Sequence, residues 1–175
     1  MSIFNPLFRA FPNGNIQHAG VVLGLGGVAG NLYYTAPHGY TGPFGEALLT
    51  REVTAVTAAC MVIRRTVFLE NVGFDEVHLP VAYSDVDFCL RLRARGYKNV
   101  ITPFAELIHH ESATRGSDLA PGRQEQSAKE IAYMRERWGG ILESDPYFSP
   151  NYSLSSSVPA LAEPPRIMRP WEALT

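Results

Sequence analysis

The chain has 175 residues, 46% of them hydrophobic, enough for one globular domain with a sizeable core. Lys and Arg number 15 against 17 Asp and Glu, and the net charge of -2 gives no electrostatic footprint for nucleic acid or for an anionic membrane surface. No apolar run reaches membrane-spanning length and residues 1–20 lack the charged-then-apolar order of a signal peptide, so the chain reads as cytoplasmic, a placement that leaves room for peripheral association at the inner membrane.

Residues 1–17, with Pro6, Pro12 and Asn13-Gly14, read as a turn-rich lead-in to a strand at Gly20-Val21-Val22-Leu23. Residues 24–45 are dominated by Gly, Pro and aromatics without a steady period and read as a long loop. Residues 53–63, rich in small and β-branched side chains, read as a central strand ended by Arg64-Arg65. A short helix N-capped by Thr66 should follow, closed by Asn71 to Gly73. The best defined helix carries Val86, Cys89, Leu90 and Leu92 on one face, cations at its C-terminal end and a stop at Gly96. Strands at 99–102 and 105–109 flank Pro103, and a polar loop spans Gly116 to Gly122. A last helix over 124–138 should present Ala128, Ile131, Ala132 and Trp138 and end at Gly139-Gly140. The two organisational units expected are thus a domain over 1–140 and an irregular Pro- and Ser-rich tail over 141–175. Cys60 and Cys89, each in apolar sequence, are expected as buried free thiols.

Three stretches bear on chemistry. Gly24-Leu25-Gly26-Gly27-Val28-Ala29 formally fits a dinucleotide fingerprint, but the following Asn31-Leu32-Tyr33-Tyr34-Thr35-Ala36-Pro37 has no helical period, and a pyrophosphate needs a helix N-terminus there. Ser84-Asp85-Val86-Asp87 opens the best defined helix, with Ser84 as N-cap and Asp87 as the reciprocal member of a capping box. Residues i and i+2 of a helix point to different sides, so the two acids divide: Asp87 caps or pairs with Arg91 one turn on, and Asp85 projects into a site, where the positive helix end favours a carboxylate. His109 and His110 end a strand, so their side chains face opposite ways, and Glu111, Ser112 and Arg115 follow in a loop of the kind found at phosphate- or metal-handling sites.

Through Gly14-Asn15-Ile16-Gln17-His18-Ala19-Gly20-Val21-Val22, residues 55–65, Gly73-Phe74-Asp75-Glu76, Ser84-Asp85-Val86-Asp87 with Arg91, and Asp145-Pro146-Tyr147-Phe148-Ser149-Pro150-Asn151, the chain resembles a family 2 glycosyltransferase of the GT-A fold, the bacterial kind that builds surface polysaccharides such as O-antigen. The resemblance implies an α/β fold with a mixed sheet and flanking helices, a partial GT-A domain whose N-terminal nucleotide-binding half is missing. It implies Asp85, at the first acid of E/N-D-x-D-x-x-x-R, as general base of an inverting sugar transfer, with Ser84, Asp87 and Arg91 in support of the acceptor and the helix start. Ser84 departs from the usual Glu or Asn. His109, and His110 as second choice, would hold a divalent ion, Mn or Mg, in the full-length enzyme. A nucleotide-sugar donor, UDP- or dTDP-linked, and a glycan or lipid-linked acceptor would be its partners, and the fragment alone is expected to be inactive. Arg137-Trp138 matches the end of the Q-x-x-R-W motif of processive relatives, but Met134 stands at the Gln position and processivity is not carried over.

Two other classes remain open on the residues. Asp85, Asp87, His109 and His110 around one ion would make a small metal-dependent hydrolase. A non-catalytic module would pair with itself as a homo-oligomer through an exposed sheet edge.

Overall fold

The computed structural model describes residues 2–10, 14–110 and 123–167. Its architecture is α/β: among the described residues, a mixed sheet in the order β2-β1-β6-β5, a separate hairpin of β3 (Val21–Leu23) and β4 (Ala29–Asn31), and three α-helices. Strand β1 (Ser2–Ala10) runs parallel to β6 (Lys98–His109), while β2 (Ile16–His18) and β5 (Arg51–Val53) pair antiparallel on either side.

Strand β1 corrects the reading of residues 1–17 as a turn-rich lead-in. Pro6 lacks an N–H to donate to the ladder, and the β1/β6 register breaks beside it, jumping from Pro6↔Thr102 to Leu7↔Glu106 around Pro103. The two prolines share one irregularity, which lets β6 continue as a single 12-residue strand where two were expected. Phe11, Pro12, Asn13 and the loop expected from Gly116 to Gly122 lie outside the described residues.

The central strand expected over residues 53–63 is also corrected. Only β5 and isolated bridges at Ala55 and Val62 pair with other strands, and residues 58–60 form a 3-10 turn. Buried Asn5 of β1 is the physical reason, because its amide donates to Thr57 O and Cys60 O at 2.7 and 2.8 Å and draws both carbonyls off a ladder. Within the long loop expected over 24–45, β4 (Ala29–Asn31) pairs with β3 (Val21–Leu23) as a hairpin. The glycine run therefore opens a strand, not a helix, and has no pyrophosphate-binding terminus.

Helix α1 (Arg65–Glu70) begins behind Arg64, so Thr66 is inside the helix and not its cap. Helix α2 (Ser84–Ala94) ends as read, with Gly96 at φ 81° and Tyr97 N–H returning to Leu92 O at 3.1 Å. Phe68 of α1, Phe74 and Phe88 of α2 stack edge-on or tilted at 5.2–5.4 Å and lock the two helices together. Helix α3 (Arg123–Leu142) runs through Gly139-Gly140, held by the burial of Leu142. Its inward face carries Glu130 and Met134, both fully buried, with Ile131 and Trp138 beside them, while Ala128 and Ala132 are exposed, so the buried face is rotated by part of a turn from the one expected.

Residues 143–167 contain no helix or strand and are pinned by Asp145, whose carboxylate accepts from Leu23 N, Thr54 Oγ1 and Tyr147 N at 2.7–2.8 Å. Cys89 is buried, and burial pushes its thiol up to about 12; Cys60 is half-buried, less than expected, and both are free. No helix among the described residues is long and apolar enough to cross a membrane.

Candidate active site

Helix α2 is entered through Tyr83, whose φ of 61° and ψ of 0° are left-handed and whose carbonyl takes the N–H of Asp87 at 2.8 Å. Ser84 is consequently the first helical residue and not the N-cap, and the capping box with Asp87 does not form. What sets this entry is Glu130 of α3, fully buried, which accepts from Val81 N at 3.1 Å and Ala82 N at 2.6 Å.

The two acids separate as the helical geometry requires. Asp87 is fully buried, accepting from Arg91 Nε at 2.8 Å and Trp138 Nε1 at 2.9 Å, with Arg137 Nε at 3.3 Å. Arg91 also donates to the carbonyls of Asn71 and Gly73, so Asp87 and Arg91 together bind α2 to α1 and α3. Asp85 is half-buried on the other side: Oδ2 accepts from Ala58 N and Oδ1 from Val86 N, each at 2.9 Å. Its carboxylate lines a cleft of about 140 Å³ with Asn31, Gly30 and Thr57, formed where the β3-β4 hairpin meets the start of α2.

His109 closes β6, half-buried, with Nδ1 at 2.9 Å from Oε1 of buried Gln17. If that ring nitrogen donates, the basic lone pair is at Nε2, the outer-shell arrangement common to histidine ligands. His110 follows, exposed, and Glu111, Ser112 and Arg115 lie outside the described residues. The Asp85 cleft does not include His109, and no group of three or more His, Cys, Asp or Glu suited to a metal occurs among the described residues. The single-ion hydrolase is thereby corrected, since Asp85 and Asp87 diverge and all four of its supposed ligands are described.

Asn31, which lines this cleft, and His18, which holds it from behind, are not singled out by the sequence pattern. His18 of β2 is fully buried and contacts Asn31 Oδ1 through Nδ1 at 2.7 Å, and burial lowers its pKa to about 4. The available signal was the polar pair Gln17-His18 inside the otherwise apolar run from Ile16 to Leu23. A larger cavity, about 670 Å³, lies on the flank of α2 that carries Arg91 and Arg95, walled by Phe74, His78, Arg137 and Trp138.

Over 154 residues the chain is 46% identical to an uncharacterized protein, y4gI, of Sinorhizobium fredii, covering 88% of this chain and 17% of that protein. It is 42% identical over 149 residues to the O-antigen biosynthesis protein RfbC of Myxococcus xanthus, covering 84% and 11% respectively. Over 90 residues it is 30% identical to the N-acetylglucosaminyl-diphospho-decaprenol L-rhamnosyltransferase of Mycobacterium tuberculosis, 51% of this chain and 29% of that enzyme. The chain thus spans only a small part of each of these relatives. No family model matches it. No solved structure matches it. These relatives bear out the resemblance to a glycosyltransferase of the surface-polysaccharide type.

Proposed function

We propose that these residues form the acceptor-side part of an inverting GT-A glycosyltransferase that passes a sugar from a nucleotide-sugar donor to a glycan or lipid-linked acceptor. The observation that carries this reading is the Asp85 carboxylate, fixed by two backbone N–H groups at 2.9 Å and open to a small cleft at the start of α2. Both donors are backbone, so the base is aimed without depending on a mobile side chain. An acceptor hydroxyl in the cleft gives its proton to Asp85 while its oxygen bonds to the anomeric carbon; the bond from that carbon to the diphosphate oxygen breaks, and the nucleoside diphosphate leaves with the electron pair. Attack from the face opposite the leaving group inverts the anomeric centre.

A divalent ion, Mn or Mg, would supply charge neutralisation to the leaving diphosphate. His109, held at Nδ1 by Gln17, fits as one ligand, with His110 as second choice. One imidazole does not make a site, and the further ligands would belong to the donor-binding half. UDP- or dTDP-sugars are the expected donors of the complete enzyme.

Titration of the 175-residue chain with UDP- and dTDP-sugars plus Mn²⁺, followed by calorimetry, tests the division of labour. Weak or absent binding is expected, and the same chain should transfer no sugar. Micromolar affinity would sink the acceptor-side assignment.

A further inference from the structure

We propose that Asn31 is a substrate-contacting, specificity-determining residue of the Asp85 cleft, presenting its side-chain N–H₂ to the same saccharide hydroxyl that gives its proton to Asp85. This rests on the acceptor-side reading and adds to it a second recognition group. Asn31 ends β4 opposite Val21, and the hairpin is held by Leu32 N–H to Gly20 O and by Val21 N–H to Ala55 O, both at 2.9 Å. The platform under Asn31 is therefore fixed to the strand region that also carries Thr57.

The orientation of the amide follows from His18. The imidazole Nδ1 lies 2.7 Å from Asn31 Oδ1, and His18 itself is 1% exposed. An unprotonated ring, which burial favours, has a single N–H, and the tautomer that carries it at Nδ1 donates to the amide oxygen. The oxygen is engaged on the buried side, so the nitrogen end of Asn31 is what the side chain offers to the cleft it lines. Among the described residues Nδ2 has no hydrogen-bond partner.

A cleft with an acceptor-only carboxylate and a donor-only amide nitrogen selects chemically. A hydroxyl can donate to Asp85 and accept from Asn31 at once, whereas an ammonium has no lone pair to accept with and a ketone has no proton to give. About 140 Å³ admits the hydroxyl-bearing edge of one sugar ring, and the class of ligand is therefore a saccharide engaged through a free secondary hydroxyl.

The test is heteronuclear NMR of the whole chain with methyl glycosides of D-glucose, D-mannose and L-rhamnose and their monodeoxy analogues at millimolar concentration. Expected are saturable shifts of the Ala58 and Val86 amides and of the Asn31 side-chain N–H₂, lost with one deoxy analogue. Asn31→Ala and Asn31→Asp should each weaken binding at least tenfold; Asn31→Asp keeps the shape and the acceptor for His18, and covers the case in which Asn31→Ala does not fold. If glycosides shift Ala58 and Val86 but both variants bind as the parent does, the Asn31 contact is wrong and the acceptor-side reading stands. If no glycoside moves Ala58 or Val86 in the parent chain, both fall. The tautomer of His18, read from its ring ¹⁵N shifts without ligand, is a separate check: a proton at Nε2 in place of Nδ1 overturns the amide orientation.

Discussion

Trp138 donates its indole N–H to Asp87 Oδ1 at 2.9 Å, while Arg91 takes the other oxygen at 2.8 Å, so one buried carboxylate joins α2 to α3 and, through Arg91, to the end of α1. Asp87→Ala leaves the Arg91 guanidinium, 18% exposed, without its carboxylate and should cost about 3–5 kcal/mol. Asp87→Asn keeps an acceptor for Trp138 and should cost less. Urea unfolding with an unchanged m-value checks this, and a loss under about 1 kcal/mol for Asp87→Ala would show that the pairing is incidental.

The buried carboxylate of Glu130 should control the entry to α2. Glu130→Ala strips the acceptor from Val81 N and Ala82 N, and also from Gln126 Nε2 at 2.8 Å, so the left-handed turn at Tyr83 loses its anchor. Buried amides left without a partner cost about 1–3 kcal/mol each, and those of exposed Val81 and half-buried Ala82 fall at the low end or below. Hydrogen exchange at Ala82 should quicken markedly in Glu130→Ala and less in Glu130→Gln; protection equal to that of the parent would refute the anchor.

This anchor also explains what could be read in the sequence and what could not. The span of α2 and the pairing of Asp87 with Arg91 follow from local spacing, since i, i+4 partners and a glycine stop lie within one stretch. The start of the same helix does not, because Ala82 is held by a residue 48 positions away and that contact, not the capping preference of Ser84, decides where the helix begins. Strand β1 was hidden by Pro6, which fits only because the break around Pro103 on β6 coincides with it. The strand expected over 53–63 had the right composition, yet Asn5, over 50 residues upstream, takes its carbonyls. At the candidate site, the cleft-side placement of Asp85, apart from Asp87, follows from helical spacing, whereas Asn31 comes beside it only once the hairpin folds against α2.

Stability should fall on acidification in two steps. His18 has a folded pKa near 4 against an ordinary 6.5, because burial disfavours its charged form. The unfolded chain takes up that proton first, so stability is full above pH 6.5 and declines by about 3 kcal/mol as pH falls to about 4. Asp75 acts lower: partial burial opposes ionisation, but N–H from His78 and O–H from Tyr133 outweigh it and hold the carboxyl at about 2. Its contribution is present above pH 4 and lost as pH falls through about 2, amounting to less than about 2 kcal/mol because water reaches the group. Denaturation midpoints from pH 7 to 4 should slope in the parent and flatten in His18→Gln; equal slopes would count against a neutral buried His18.

Gly24 should resist substitution for a reason unrelated to cofactor binding. Its φ is 79°, and a Cβ there would come within 2.6 Å of Leu142 O and 2.8 Å of Leu154 Cδ1. The carbonyl ends α3 and cannot move without unseating it. Gly24→Ala should therefore lower stability by about 1–3 kcal/mol or more, whereas Gly26→Ala, with open space around it at φ 68°, bears only the backbone cost. Comparable losses in the two variants would place the strain in the turn itself and not against α3.

The sharpest separation of structure from chemistry is expected at Asp85. Asp85→Asn retains one carbonyl oxygen to accept from Ala58 N, and the residue is only half-buried, so folding stability should change by less than about 1 kcal/mol. What the amide lacks is basicity: it cannot remove the proton of an acceptor hydroxyl. In an enzyme joining these residues to a donor-binding half, as the proposed function requires, turnover should fall about 10²–10⁴-fold while the affinity for nucleotide sugar stays unchanged. Asp87→Asn should show the opposite signature, a loss of stability with turnover of the folded fraction largely preserved, because Asp87 faces the helices and not the cleft. Turnover of Asp85→Asn within tenfold of the parent would remove Asp85 from the role of base.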